Sequence, residues 1–148
     1  PIFADPGSTV KAEKLRPVLG KLHTLKPNRL EAELLSGVPI TGTDSLHRAA
    51  QTLLETGLHR VFISLGADGV YAADQSGSVT LPAPKAEMVS TTGCGDSFMA
   101  ALTWAYLQGS DLERSARAGL AASSLTMESA ETIHPSMSEA ELLRRMAL

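Results

Sequence analysis

Along the chain, short apolar runs alternate with stretches whose apolar residues recur every three or four positions, the pattern of strands alternating with amphipathic helices. Ile2-Phe3-Ala4 reads as the inside of a strand that runs into an Asp5-Pro6 turn. Ser8 then caps a helix to about Leu19, with Val10, Leu15, Val18 and Leu19 as its apolar side. Leu22-His23-Thr24-Leu25 is a short strand, stopped by Pro27. Asn28 stands where an N-cap should, Arg29 to Leu35 is helical, and Gly37 ends the helix. Another amphipathic helix opens at Asp44 or Ser45, runs through Leu53-Leu54 and closes at Gly57. Val61-Phe62-Ile63-Ser64-Leu65 is continuously apolar but for its serine, as expected of a strand buried on both faces.

The second half begins differently. Val70 to Ala73 and Val79 to Leu81 flank the polar run Asp74-Gln75-Ser76-Gly77, which predicts a hairpin ended by Pro82 and Pro84. A loop rich in Thr and Gly, Ser90 to Gly95, leads into the apolar run Phe98 to Trp104, read as a buried helix. Gly109-Ser110-Asp111 is a break, and Leu112 to about Met127 is a long helix of small residues. Its Gly119 to Ser124 stretch allows close approach, either of another helix or of a ligand. Thr132 to Pro135 reads as a loop, and Ser138 with Glu141 makes a capping box for a last helix to about Met146. Strands alternating with helices argue an α/β fold, a mostly parallel sheet flanked by helices with one small hairpin. No repeat, low-complexity tract or linker divides residues 1–148, so a single domain is expected.

Composition narrows the class. Of 148 residues, 43% are hydrophobic and 20% charged, enough for a folded core. A net charge of −3 with scattered Lys and Arg leaves no footprint for a nucleic acid polymer or an anionic membrane. No apolar run approaches the ~20 residues of a membrane span. The single cysteine cannot form an internal disulfide, which suits a cytoplasmic location. The chain starts at Pro1 in what reads as mid-strand, so a fragment or a cleavage product is expected.

The candidate chemistry gathers at strand ends. In parallel α/β sheets ligands bind beyond the carboxyl ends of the strands. Asp5, Asn28, Gly66 and Gly93 all follow predicted strands or open the helices after them. Thr91-Thr92-Gly93-Cys94-Gly95-Asp96 is a loop whose peptide N–H groups, at a helix start, favour an anion. Asp96 sits awkwardly beside such an anion: it is either an ordinary N-cap or a base that takes a proton from a hydroxyl attacking a phosphate. Asn28 and Glu31, three apart, form either a capping box or a pair facing a ligand. His23 and His134 lack acidic or Cys partners at ligand spacing and read as structural or solvent-facing.

Taken together these residues resemble the ribokinase-like (PfkB) carbohydrate kinase family. Thr92-Gly93-Cys94-Gly95-Asp96 is similar to its T-G-A-G-D signature, Asn28-Arg29-Leu30-Glu31 to its N-x-x-E motif, and Ser64-Leu65-Gly66-Ala67-Asp68-Gly69 to its T-x-G-x-x-G nucleotide loop. The run His23 to Glu33 followed by Leu35-Ser36-Gly37 resembles the branch whose acceptor is pseudouridine. The resemblance covers nearly the whole chain but only the C-terminal half of the family fold. It implies an ATP-binding and catalytic half, inactive alone, whose N-terminal substrate and lid half is absent. It also implies a phosphotransferase using ATP and Mg²⁺. Asp96 is then the general base, and the N–H groups of Gly93, Cys94 and Gly95 are the anion hole. Asn28, Ser64, Gly66, Ala67, Asp68 and Gly69 bind the nucleotide, and Glu31 acts on Mg²⁺ through water. The acceptor is a small sugar or nucleoside. Two alternatives stay open: a nucleotide-binding or regulatory module without turnover, and a kinase for another acceptor such as ribose. A homodimer also stays open. A dinucleotide-binding dehydrogenase is disfavoured, because no G-x-G-x-x-G follows the first strand.

The pattern is not followed everywhere. Cys94 replaces the usual alanine and reads as a small neutral filler, with redox sensitivity as the lesser reading. Ser90 stands where many members carry an aspartate that helps bind a monovalent cation, which puts K⁺ dependence in question. Leu120 takes a position often held by Asn or His near the adenine, so apolar contacts to the base are expected there.

Overall fold

A computed structural model describes residues 1–131 and 134–147. The expected loop at Thr132 and Ile133 lies outside the described residues. Chain contacts separate two compact units, Pro1–Gly66 with Val70–Thr80, and Ala67–Gly69 with Leu81–Leu148.

The first unit is built on a sheet in which β1 (Phe3–Ala4), β2 (Thr24–Leu25), β3 (Arg60–Ser64), β4 (Val70–Asp74) and β5 (Gly77–Leu81) lie side by side in chain order. β1, β2 and β3 are parallel, with Ala4 opposite Leu25 and Leu25 opposite Val61. β4 turns back antiparallel to β3, pairing Val61 with Ala73 and Ser64 with Val70. Only two residues join β4 to β5, so the expected hairpin is present. The mostly parallel sheet with a hairpin edge therefore stands.

The parallel crossovers are helical. After β1, α1 (Thr9–Ala12) starts on Ser8, whose Oγ accepts the Lys11 N–H at 3.2 Å. It lasts four residues and then tightens into a 3₁₀ segment, Glu13–Lys21, that contains Pro17. A proline has no N–H to give the i−4 carbonyl and its ring crowds that carbonyl, so an α-helix to Leu19 is not sustained. Val10, expected on the apolar side, is 79% exposed, whereas Leu19 is buried. Between β2 and β3 come α2 (Arg29–Ser36) and α3 (Thr43–Glu55). Gly37 ends α2 in the left-handed region at φ 72°, a conformation that costs a residue with a Cβ about 1–2 kcal/mol. α3 starts at Thr43, one residue before Asp44 and two before Ser45, the expected positions. Ser45 still sets that start, because its Oγ accepts the Thr41 and Gly42 N–H groups and donates to Gly42 O.

Leu25, Val61, Ile63, Tyr71 and Ala73 on the sheet pack with Ala32 and Leu35 of α2 and with Ala49, Ala50, Leu53 and Leu54 of α3. Phe62 faces the opposite side of β3 and is equally buried, which is why the strand reads as a continuous apolar run. One Asp5 carboxylate oxygen pairs with Lys26 Nζ at 3.3 Å, and the other accepts the Gly7 N–H. On the opposite edge the His23 ring stacks between Phe3 and His59, at centroid distances of 5.4 and 5.1 Å.

The second unit is helical: α4 (Cys94–Leu107), α5 (Leu112–Met127) and α6 (Glu139–Met146). Its core is made of small residues, Ala101 and Ala105 from α4, Ala118, Ala121 and Ala122 from α5, and Leu142 from α6. Small side chains let helix axes approach closely. At Gly119 the closeness is limiting, because a Cβ there would lie 2.5 Å from the Phe98 ring. The glycine and small-residue stretch of α5 thus serves helix packing at this point. Asp111 caps α5 by accepting the Arg114 N–H at 2.8 Å. Ser138 caps α6 by accepting the Glu141 N–H, but the reciprocal half of the expected box is missing. Glu141 points instead at Arg144 and Arg145, and the Arg144 hydrogen bond draws its pKa down to about 2. Arg145 also reaches Glu128 with two hydrogen bonds, at 2.8 and 2.5 Å, which tie α6 to the end of α5 and lower the Glu128 pKa. No helix among the described residues is long and apolar enough to cross a membrane.

Candidate active site

Three of the four expected strand-end features, Asp5, Asn28 and Gly66, lie in the first unit, just beyond the carboxyl ends of three neighbouring parallel strands. Asn28 and Ser64 are brought together directly. They form a bridge beyond the last regular pairs of β2 and β3, and the Ser64 N–H donates to Pro27 O at 2.9 Å. Asn28 is exposed, and its Oδ1 accepts the Glu31 N–H at 2.8 Å. Glu31 Oε1 in turn accepts the Asn28 N–H at 2.9 Å, and Glu31 is only 4% exposed. The capping box is therefore formed, and one carboxylate oxygen is engaged by it. Oε2 is the oxygen that lies outside the box. Lys26, two residues before Asn28, is a buried cation at the end of β2 that the sequence reading passed over. Its only signal was a lysine at the end of an apolar strand, which more often means a chain leaving the core.

Gly66, at φ 59°, has open space where a Cβ would stand and is exposed. The rest of that loop, Ala67, Asp68 and Gly69, groups with the second unit. Ala67 and Asp68 are exposed, while Gly69 is buried at φ 94° and a Cβ on it would overlap the Leu81 carbonyl oxygen. Gly69 is thus demanded by the chain's own backbone.

The loop before α4 departs most from an ordinary capped helix. Gly93 is the N-cap, at φ 82°, and no side chain closes the helix start. Asp96 is the third residue of the helix, which excludes it as the N-cap. It is exposed, and among the described residues its carboxylate has no hydrogen bond or ion pair. The Cys94 N–H turns back to Thr91 O through a long 3.3 Å bond, whereas the Gly93, Gly95 and Asp96 amides have no partner among the described residues. Unpaired N–H groups at a helix start carry the positive end of the helix dipole. Asp96 and Gly93 open onto a cavity of about 510 Å³ with Ser97, Ala100, Trp104 and Leu142 among its walls. The Cys94 thiol points inward, toward the carbonyl oxygens of Ser123 at 3.6 Å and Ser90 at 4.0 Å, as a filler does.

A second cavity of the same unit, about 290 Å³, is walled by Leu81 to Pro84 and by Leu120, Ala121, Arg145 and Met146. Its walls include Leu120, which the resemblance places near the base. The prolines and Arg145 were not foreseen as walls, because they come from a hairpin end and a terminal helix far apart in sequence. For a metal the donors are sparse: no group of three or more His, Cys, Asp or Glu gathers among the described residues. The Glu31 Oε2 that lies outside the capping box is a carboxylate donor of the kind that fits Mg²⁺ held through water.

Comparisons with known proteins identify the family of the chain. The family model described as pfkB family carbohydrate kinase matches residues 1–140. Pseudouridine kinase of Escherichia coli is 39% identical over 144 residues, covering 97% of this chain and 46% of the relative. A crystal structure of a Clostridium perfringens protein, provisionally described as a sugar kinase, superposes with a TM-score of 0.94 at 37% identity, over 98% of this chain and 46% of that one. Arabidopsis thaliana ribokinase, solved with ribose and ATP, gives 0.78 at 28% identity over 90% of this chain and 43% of its own. The chain spans about half the length of the relatives it matches.

Proposed function

The chain belongs to the pfkB family of carbohydrate kinases, and we propose that it is the C-terminal, ATP-binding and catalytic half of a kinase that phosphorylates pseudouridine. The products are pseudouridine 5′-phosphate and ADP. The observation that carries this reading is Asp96, an exposed carboxylate without a partner among the described residues, set on the first turn of a helix whose amides are free.

Asp96 takes the proton of the acceptor hydroxyl as its oxygen attacks the γ-phosphorus, and ADP leaves with the bridging oxygen. The Gly93, Gly95 and Asp96 amides stabilise the charge that builds on the transferring oxygens. Cys94 contributes to the anion hole by holding the turn through its thiol. The cavity walled by Leu81 to Pro84 and Leu120 takes the adenine by apolar contact. Asn28, Ser64 and the loop from Gly66 to Gly69 bind along the nucleotide. Glu31 would help hold Mg²⁺ through water, and the ion would supply neutralisation of phosphate charge. Ser90 offers no carboxylate to a monovalent cation, so turnover independent of K⁺ is expected.

The similarity to a ribokinase supports ribose as the second acceptor to test. The deciding assay uses the full-length protein with pseudouridine, uridine and ribose, beside the D96N variant. Consumption of ATP with none of them, or undiminished turnover by D96N, sinks the kinase reading. Faster phosphorylation of ribose overturns only the choice of acceptor.

A further inference from the structure

With no side-chain cap on α4, the direction of Asp96 depends on what else holds the helix start. The C-terminal end of α5 contacts that helix start. Ser123, Thr126 and Met127 are spaced i, i+3 and i+4 and so share one face of the helix. Each receives a contact from the loop around Asp96. The Cys94 thiol lies 3.6 Å from Ser123 O, Ser97 Oγ lies 2.5 Å from Thr126 Oγ1, and Met127 O accepts the Val89 and Ser90 N–H groups at 2.9 and 3.1 Å. Thr126 is fully buried. Its neighbours Ala122 and Leu125 are buried too, so a hydroxyl among them needs a partner. Ser97 supplies it, and Ser97 is the residue after Asp96.

Successive residues stand about 100° apart around a helix axis. Holding Ser97 inward therefore sets where Asp96 points. We propose that Thr126 is a positioning residue for Asp96: its hydroxyl, paired with that of Ser97, fixes the roll of the first turn of α4 so that the carboxylate and the free amides face the reacting groups together. The inference rests on the reading of Asp96 as the base.

The test measures kcat, the KM for ATP and the melting temperature of the full-length protein as T126V, T126S and S97A, with and without D96N. T126V, which keeps the shape and removes the hydroxyl, should lower kcat about 10- to 100-fold and change the KM for ATP less than about twofold. T126S should restore kcat to within about threefold. S97A removes the same pair from the other side, should match T126V, and decides the matter if T126V fails to fold. In the D96N background T126V should cost nothing further, since the residue it positions has lost its function. A T126V or S97A variant with a lower melting temperature and unchanged kcat overturns the proposal, as does a T126S variant as slow as T126V. If D96N is slow and T126V fast, only the positioning role falls; if D96N is fast, the base reading falls first.

Discussion

Helices α2 and α4 both place an acid at their third residue, and the two acids are used in opposite ways. In α2 the Asn28 side chain takes the Glu31 N–H, and Glu31 reaches back to the Asn28 N–H. That start is closed, and Glu31 is buried. In α4 the N-cap is Gly93, which has no side chain, and Asp96 engages nothing among the described residues. The amides and the carboxylate are left for a ligand. One acid at a helix start secures the helix and the other is free for chemistry, and the residue at the N-cap decides which.

The comparison can be broken most severely at Asp96. D96N should lower turnover by ~10²–10⁴ while leaving ATP affinity and melting temperature nearly unchanged, read by steady-state kinetics and calorimetry. A large loss of stability instead would make Asp96 a structural acid like Glu31. The next effect is at Gly119, since α4 relies on packing where α2 relies on caps. G119A gains helix propensity of about 1 kcal/mol, but its Cβ presses on the buried Phe98 ring, and such overpacking costs about 1–3 kcal/mol. Net destabilisation is therefore expected in urea unfolding, and a stabilised G119A would show that the helices can part without strain. At the closed start, N28A should cost about 0.5–2 kcal/mol of stability, checked the same way. An unchanged midpoint would mean that the box in α2 is idle.

The smallest effect is a pH dependence. Burial first, then His59 and Arg60, hold the His23 pKa below its ordinary value. The folded state thus binds this proton more weakly than the unfolded chain. The associated stability is complete above the ordinary imidazole pKa and is lost as pH falls from there toward the lower folded value. The melting temperature should decline below about pH 6.5, the ordinary value, and H23Q should flatten that slope. An identical slope in H23Q would remove His23 as its source.

Much of the architecture is legible in the sequence because it is local. Asn28 with Glu31, Ser8 and Gly37 announce helix ends through bonds to residues three or four positions away, and each forms as read, while the break at Asp111 turns out to be a cap as well. The apolar run at Val61 identifies a strand buried on both faces. Where reading failed, a nonlocal or competing partner won. Pro17 turns the first helix to 3₁₀ and leaves Val10 in solvent, and Glu141 is drawn from its capping box by two arginines. The sequence names Gly93 and Asp96 as a pair of interest and leaves an ordinary cap open as the other account of the loop, since both readings use the same residues. The tertiary structure excludes Asp96 as the cap. The left-handed Gly93 becomes the cap, α5 receives the neighbouring Ser97 hydroxyl, and Asp96 stays free. Chain-local chemistry determines which groups are available at that turn, but their direction depends on what packs against them.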